Sequence, residues 1–262
     1  MIFKIPVMWL VIVICCCGDN INATAQIISQ EKAWYSTVVQ IPTPDGYARE
    51  KQDTVSFHYF LEYLPLKCTS NEVLLYDGTP KYNQSAQFAV IKMDVGKQDL
   101  QQCADAVIRL RAEYLFKQKK YNDLHFCFLS DGKPRYYKEY CSGDHSYKKY
   151  RKWLNYIFSY ANTGSLIREL VKVKSINEIE IGDVFIQTGN PYGHAIMVVD
   201  LAKNKKGEKI FLLTQSYMPA QEIHVLKNPN DDKYSPWYNT NFGESLTTPE
   251  WTFGKNDLYR FQ

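Results

Sequence analysis

The sequence has little excess charge and none of the short motifs that identify a nucleotide or zinc enzyme. Its 31 Lys and Arg against 28 Asp and Glu leave a net charge of +3 over 262 residues, which gives no reason to expect nucleic-acid binding. A phosphate loop, a dinucleotide fingerprint, an HExxH helix and a C-x-x-C pair are all missing. We therefore expect neither a cofactor nor a bound metal.

Long apolar runs are scarce as well, which excludes a multi-span membrane protein. The main one extends from Ile5 to Cys17 behind a single cation, Lys4. It is too short for a comfortable membrane span and has the form of a secretory signal. We expect residues 1–25 to be this signal and residues 26–262 to be one exported α+β domain.

The signal can be processed in either of two ways. Ala23-Thr24-Ala25 has the small-x-small pattern of signal-peptidase cleavage, which would release a periplasmic protein. Cys17, followed by Gly18-Asp19, stands where a bacterial lipoprotein carries its lipidated cysteine. Lipidation of Cys17 would attach the protein to a membrane, as an outer-membrane lipoprotein.

Cleavage after residue 25 removes three of the seven cysteines. Four remain, and in an oxidising compartment they allow three complete disulfide pairings. A chain of this length does not need a disulfide in order to fold. The four are Cys68, Cys103, Cys127 and Cys141.

Aromatic residues are abundant, at 15% with 20 Tyr and 5 Trp. Their flat apolar faces and polar tips suit a binding surface. We expect Tyr192, Tyr217 and Trp237 to contact a substrate, and the segment around Trp251 to help wall the same cleft. Ordinary packing in the core is the alternative role for these residues.

The pattern of apolar residues predicts an α+β fold. Strands and turns fill the region from Ala33 to Val95, including VLLYDG and QFAVIKMDV. Helical spacing follows over residues 99–120, with Asp99 as the expected N-cap. Further helices are predicted in SYKKYRKWLNYIFSYA and SLIRELVKV. The segments IEIGDVFI, HAIMVVDLA and KIFLLTQSYM read as successive strands, and a last strand is expected near Leu258.

Cys103 lies in the first turns of the clearest predicted helix. A helix N-terminus stabilises anions, so a thiol there is expected to have a lowered pKa and to be a good nucleophile. The same residue shares an apolar stripe with Leu100 and Val107. A buried core cysteine is therefore the alternative.

His194 is the candidate base. It follows the turn at residues 189–193 and opens the strand HAIMVVD, so its side chain can meet a helix N-terminus at the edge of the sheet. A cysteine nucleophile needs such a histidine to take its proton. A turn histidine without a ligand is the alternative.

The base needs a third group that fixes its ring. If the following hairpin turns near Lys205, His194 lies opposite a residue near 216, which brings Gln215 or Tyr217 beside it. The Gln215 carbonyl can accept from the imidazole N–H, and His224 on the next extended segment is the runner-up. A zinc site of His194, His224 and an acid such as Asp200 is a further alternative, without a supporting motif.

Several long segments resemble a bacterial envelope family known only as domain-of-unknown-function family 4846. The resemblance covers nearly all of the chain after residue 25 and implies no activity. The matching segments are DLQQCADAVIRLRAEYL, IGDVFIQTGNPYGHAIMVVD, FLLTQSYMPAQEIHVLKNP, SPWY and TPEW.

A more distant resemblance implies a reaction. A cysteine that opens a helix, the turn Gly182-Asp183 into a strand and a Gly-His that opens the next strand are similar to NlpC-type papain-like cysteine peptidases and amidases. This resemblance implies a papain-like core in which the helix bearing Cys103 packs on an antiparallel sheet. It assigns Cys103 as nucleophile, His194 as base and Gln215 as orienter, with the Cys103 N–H in the oxyanion hole.

The chain departs from that pattern around the cysteine. Gln102 replaces the usual Asp or Asn, and Ala104-Asp105 replaces Ser-Gly. The third member of that group is commonly histidine, which keeps His224 open.

Three functions are therefore compared. An exported cysteine hydrolase acting on an amide, such as a cell-wall peptide, is the leading expectation. A non-catalytic module that binds a glycan or peptide in the same cleft is the second, and a structural envelope lipoprotein is the third.

Overall fold

A nine-stranded antiparallel sheet forms the centre of the computed structural model, which describes residues 34–189 and 192–262. The expected signal, residues 1–25 with Cys17, lies outside the described residues. Residues from Trp34 to Gln262 form one compact unit. Within the described ranges, no helix is both long and apolar enough to cross a membrane.

In the described ranges, thirteen strands alternate along the chain with five α-helices, of which α2 (Cys103–Lys117) and α4 (Tyr147–Phe158) are the longest. In chain order they are β1 (Tyr47–Ala48), β2 (Gln87–Val90), β3 (His125–Cys127), β4 (Pro134–Tyr136), β5 (Leu170–Lys172), β6 (Val184–Gln187), β7 (His194–Asn204), β8 (Lys209–Gln215), β9 (His224–Leu226), β10 (Tyr238–Asn239), β11 (Ser245–Thr247), β12 (Thr252–Gly254) and β13 (Leu258–Phe261). The α-helices are α1 (Phe57–Glu62), α2 (Cys103–Lys117), α3 (Tyr137–Cys141), α4 (Tyr147–Phe158) and α5 (Thr163–Leu166), with 3-10 turns at Val38–Gln40, Ile167–Glu169 and Ile176–Glu178.

The sheet has the order β2-β9-β8-β7-β6-β13-β5, and β1 and β10 pair with β7 and β8 respectively. Two separate hairpins, β3–β4 and β11–β12, complete the strand pairing. The prediction of an α+β fold is confirmed. β7 is the longest strand, and its residues from His194 to Ala202 are all buried, as expected for a strand covered on both faces.

Different elements cover the two faces of the sheet. On one face, Phe253 of β12 packs against Phe185 of β6 with ring centroids 5.9 Å apart. Phe185 pairs with Leu258 of β13, so Phe261, three residues further on, faces the other way. Arg111 of α2 lies over the Phe261 ring on that second face. The sheet therefore separates the β11–β12 hairpin from α2.

α2 begins later than the sequence suggests. Its first residue is Cys103 and its N-cap is Gln102, not Asp99. The Gln102 N–H donates to the Asp105 carboxylate at 3.1 Å. Asp99 Oδ1 instead accepts from the Gln102 side chain and from the Ala220 N–H. This shift places Cys103 at the helix start itself, where N–H groups lack partners inside the helix.

Other expected elements also differ. VLLYDG makes only isolated bridges, at Leu74 and Leu75, because the chain turns back at Gly78 with a φ of +86°. SLIRELVKV divides between α5, a 3-10 turn and β5, since its second half pairs with β13. The segment FHYFLE, of mixed pattern, forms α1 because Ser56 caps it by accepting from the Tyr59 N–H.

A buried ion pair joins Arg49, which directly follows β1, to Asp200 of β7. The side chain of Asp200 is fully buried, and Arg49 donates to it at 2.7 Å and to the Ile41 carbonyl at 2.6 Å. Burial raises the pKa of Asp200 to about 6, although Arg49 opposes the shift. The carboxylate therefore depends on Arg49 for its charge compensation.

Substituting Arg49→Met should leave a buried carboxylate without its partner. We expect the free energy of unfolding at pH 7 to fall by about 3 kcal/mol, the usual cost of breaking one side of a buried pair. Urea unfolding measures this loss. The double variant Arg49→Met/Asp200→Leu should recover most of it, and an equal loss in both variants would show that the pair is not the cause.

Candidate active site

Cys103 lies at the floor of a surface cleft of about 300 Å³. The cleft is bounded by the start of α2, the end of α4, α5 and the loop before β7. The Cys103 residue is only 6% exposed, so a reactant has to enter the cleft to reach the sulfur. Its lining residues include Thr163 of α5, Tyr192 of the loop before β7, and Met218.

The Cys103 thiol lies against the backbone on both sides of His194. Its Sγ is 4.0 Å from the Gly193 carbonyl oxygen, and the backbone N–H of Ala195 is near enough to the sulfur to lower the pKa of the thiol. Among the described residues, no hydrogen bond joins the thiol to the His194 ring. The fold therefore brings Cys103 to the backbone around His194, whereas the His194 ring lies on the hairpin face of the sheet, against Trp251 and Phe253.

A glycine lets the start of β7 pack closely against β6 and α5. A Cβ built at Gly193 would lie 2.3 Å from the Gln187 carbonyl oxygen and 2.5 Å from Thr163 Oγ1. Neither distance is tolerated by a real side chain. Gly193 therefore lets β7 begin directly against Gln187 of β6 and Thr163 of α5.

Gln215 and Tyr217 both lie beside His194. The register of β7 and β8 pairs Met197 with Thr214, and its continuation puts Tyr217 opposite His194 with Gln215 diagonal to it. His194 Nε2 is 3.0 Å from Gln215 Oε1. The rings of His194 and Tyr217 are 4.9 Å apart.

The runner-up His224 lies behind Gln215 rather than beside Cys103. Its Nε2 is 3.4 Å from Gln215 Nε2, and its Nδ1 is 2.9 Å from the Glu222 carbonyl. Gln215 Nε2 also donates to Glu250 at 2.7 Å. Lys81 pairs with that carboxylate at 2.5 Å.

Of the three expected aromatic contacts, only Tyr192 lines the cleft. Tyr192, 63% exposed, lines it, and Tyr217 packs on His194. Trp251 also contacts His194, with ring centroids 5.1 Å apart. Trp237 lies elsewhere: it is 1% exposed, donates from Nε1 to the Pro42 carbonyl and belongs to the core near β10.

The zinc alternative is not assembled. His194 and His224 both meet Gln215, but Asp200 is six residues along β7 and is paired with Arg49. Within residues 34–189 and 192–262, no three His, Cys, Asp or Glu side chains are arranged to hold a metal. The four cysteines expected after signal cleavage are all free thiols.

The electrostatics of Cys103 differ from the expectation for a helix start. Burial, followed by the nearby Asp105 carboxylate, raises the pKa of the thiol to about 11. The N–H groups of Ala195, Ala104 and Cys103 oppose this shift and are outweighed. The expectation of a lowered pKa is therefore wrong, because desolvation exceeds the effect of the helix terminus.

Both buried histidines are neutral at pH 7. Burial lowers the pKa of His194 to about 4, and the positive charge of Lys81 adds to the effect. The pKa of His224 falls to about 3 for the same two reasons. The resting state therefore has a neutral thiol and a neutral imidazole rather than a thiolate and an imidazolium.

Sequence reasoning missed Glu250 and Lys81. Glu250 lies 35 positions from Gln215, its hydrogen-bond partner, and Lys81 is 169 positions from Glu250. No periodicity or spacing connects such distant residues. They are joined only because the β11–β12 hairpin folds over the sheet face that carries His194.

A family model matches most of the chain. It is described as a domain of unknown function (4846) and covers residues 38–146 and 131–260. The chain belongs to this family. No curated protein and no solved structure matched this chain.

Replacing His194 with Phe should change how stability depends on pH. A folded-state pKa of about 4 against 6.5 in the unfolded chain means that stability is fully present above pH 6.5 and is lost as the pH falls toward 4. From pH 7 to pH 5 the loss is about 2 kcal/mol. The free energy of unfolding of the wild type should therefore fall by that amount relative to His194→Phe. Parallel pH curves from urea unfolding would contradict it.

Proposed function

We propose that this chain is an exported cysteine hydrolase that cleaves an amide bond, with Cys103 as nucleophile and His194 as base. The observation that carries the proposal is the contact of the Cys103 sulfur with Gly193 and Ala195 on either side of His194. The 3.0 Å pairing of His194 with Gln215 supplies the third group. The likeness to NlpC-type papain-like enzymes is part of this proposal.

The neutral dyad favours general-base activation. His194 takes the thiol proton while the sulfur attacks the amide carbon, which forms the C–S bond. The tetrahedral oxyanion would accept from the Cys103 N–H at the helix start. The C–N bond then breaks as the imidazolium gives its proton to the leaving amine, and a thioester remains on Cys103.

Water completes the cycle. His194 takes a proton from a water molecule, whose oxygen attacks the thioester carbon. The carboxylic acid leaves, and the proton returns to the Cys103 sulfur. No redox partner or metal is needed for this sequence of steps.

The proposed substrate class is based on the expected export of the protein and on the size and polarity of the cleft. A polar cleft of about 300 Å³ with an exposed tyrosine at its rim suits a short peptide segment. If residues 1–25 direct export, the peptides of the cell wall are the amides within reach. We therefore propose cell-wall peptides as the substrate, with membrane attachment through a lipidated Cys17 as the alternative to release.

Acylation by p-nitrophenyl acetate tests the nucleophile. We expect release of p-nitrophenolate together with an acetyl adduct on Cys103, identified by mass spectrometry. Cys103→Ala should abolish the adduct, and His194→Ala should slow it by about 100-fold, a typical contribution of a general base. Cys68→Ala is the matched control, because Cys68 is an exposed thiol outside the cleft. Acetylation that is confined to Cys68 would refute the proposal.

The same assay separates Gln215 from His224. Gln215→Ala removes the only group that pairs with His194 Nε2 in the described structure, and it should lower the acylation rate by about tenfold. His224→Ala, one step further from the ring, should have a smaller effect. If only His224→Ala slows acylation, then His224 is the third residue.

A non-catalytic binding module is the second candidate. Two observations favour it: the pKa of the thiol is raised to about 11, and thiol and ring are not hydrogen bonded. Incubation with stem peptides from a peptidoglycan digest distinguishes the two functions. New amine and acid termini that require Cys103 support the hydrolase, whereas saturable binding that Cys103→Ala leaves unchanged supports the module.

A further inference from the structure

A buried polar chain behind His194 sets the orientation of Gln215. Its members are nearly withdrawn from solvent: His194, Gln215 and His224 are each at most 2% exposed, and Lys81 is 6% exposed. Glu250 connects Gln215 to Lys81. Since few waters can reach these groups, each must satisfy its hydrogen bonds within the protein.

The direction of every hydrogen bond in the chain is determined. An ammonium group only donates, so Lys81 donates to the Glu250 carboxylate. That same oxygen accepts from Gln215 Nε2 at 2.7 Å, because a carboxylate has no proton to give. The Gln215 amide is thus turned with its nitrogen toward Glu250, and its oxygen is left for His194.

His224 supports the same orientation from the other side. Its Nδ1 faces the Glu222 carbonyl at 2.9 Å, which can only accept, so the ring proton of neutral His224 is on Nδ1. Its Nε2 is then an acceptor, 3.4 Å from Gln215 Nε2. Both N–H bonds of Gln215 therefore have acceptors, and a flipped amide would turn its oxygen toward two acceptors.

We infer that Glu250, held by Lys81, is a positioning residue that locks the Gln215 amide and thereby fixes His194 as the tautomer with its proton on Nε2. In that tautomer, Nδ1 of His194 carries the free lone pair, and under the proposed function it is the atom that would take a proton from Cys103. The two histidines are held in opposite tautomers by one glutamine. The catalytic meaning of this inference rests on the proposed function, whereas the tautomer itself does not.

Nitrogen-15 NMR of the histidine rings tests the inference directly. In the protein labelled with ¹⁵N-histidine at pH 7, His194, assigned from its loss in His194→Phe, should carry its proton on Nε2 and His224 on Nδ1. A wild-type His194 with its proton on Nδ1 would overturn the inference.

The variant Lys81→Met/Glu250→Leu removes both charges together, so that no buried ion is left unpaired. Gln215 can then turn over, and we expect a population of His194 with its proton on Nδ1. Acylation of Cys103 by p-nitrophenyl acetate should fall by about tenfold, the effect of losing one hydrogen bond to a charged group. An unchanged His194 tautomer in this variant would overturn the inference, whatever happens to acylation.

Two further variants act as controls. Glu250→Gln keeps an oxygen that can accept from Gln215 and should retain the wild-type tautomer. Glu244→Gln/Lys255→Gln removes the ion pair at the open end of the same hairpin and should change neither readout. If wild-type Cys103 is not acylated at all, the proposed function fails, and the NMR result still decides the inference.

Discussion

The close approach of the α2 N-terminus to the first residues of β7 is the constraint on which the site depends. Gly193 has no space for a side chain, because Gln187 and Thr163 occupy the position that a Cβ would take. At the same residue, the Cys103 Sγ lies 4.0 Å from the Gly193 carbonyl oxygen. The cleft, the aromatic packing on the imidazole and the polar chain behind it are all arranged around that junction.

Burial of this junction has opposite consequences for the two partners. Removal from water disfavours the charged form of each group, so it raises the pKa of the Cys103 thiol and lowers that of His194. An ion pair of the two would have to overcome both shifts. In the proposed hydrolase, a proton transfer that coincides with attack on a bound carbonyl would avoid a free thiolate, and the imidazolium would form only together with an oxyanion that the helix-start N–H stabilises.

The residue pattern and the expected strand pairing across the hairpin predicted the helix and the two strands that carry the site. Helical spacing predicted α2, the segments HAIMVVDLA and KIFLLTQSYM were read as the strands that form β7 and β8, and the expected turn brought Gln215 and Tyr217 near His194. The start of α2 was misplaced because Asp99, a good N-cap by composition, is occupied by Ala220 from the distant β8–β9 connection. Trp237 was assigned to the cleft from its chemistry alone, which cannot distinguish a buried indole from an exposed one.

What the sequence could not predict is the layer behind the histidine. Local patterns describe neighbours along one strand or helix, but Glu250 meets Gln215, and Lys81 meets Glu250, from distant parts of the chain. Burying a lysine and a glutamate together is costly unless every proton and lone pair finds a partner. The fold meets that condition here by linking the pair to a glutamine whose oxygen faces His194. Such an ion pair contributes little net stability, so its geometric effect on His194 is the stronger reason for its presence.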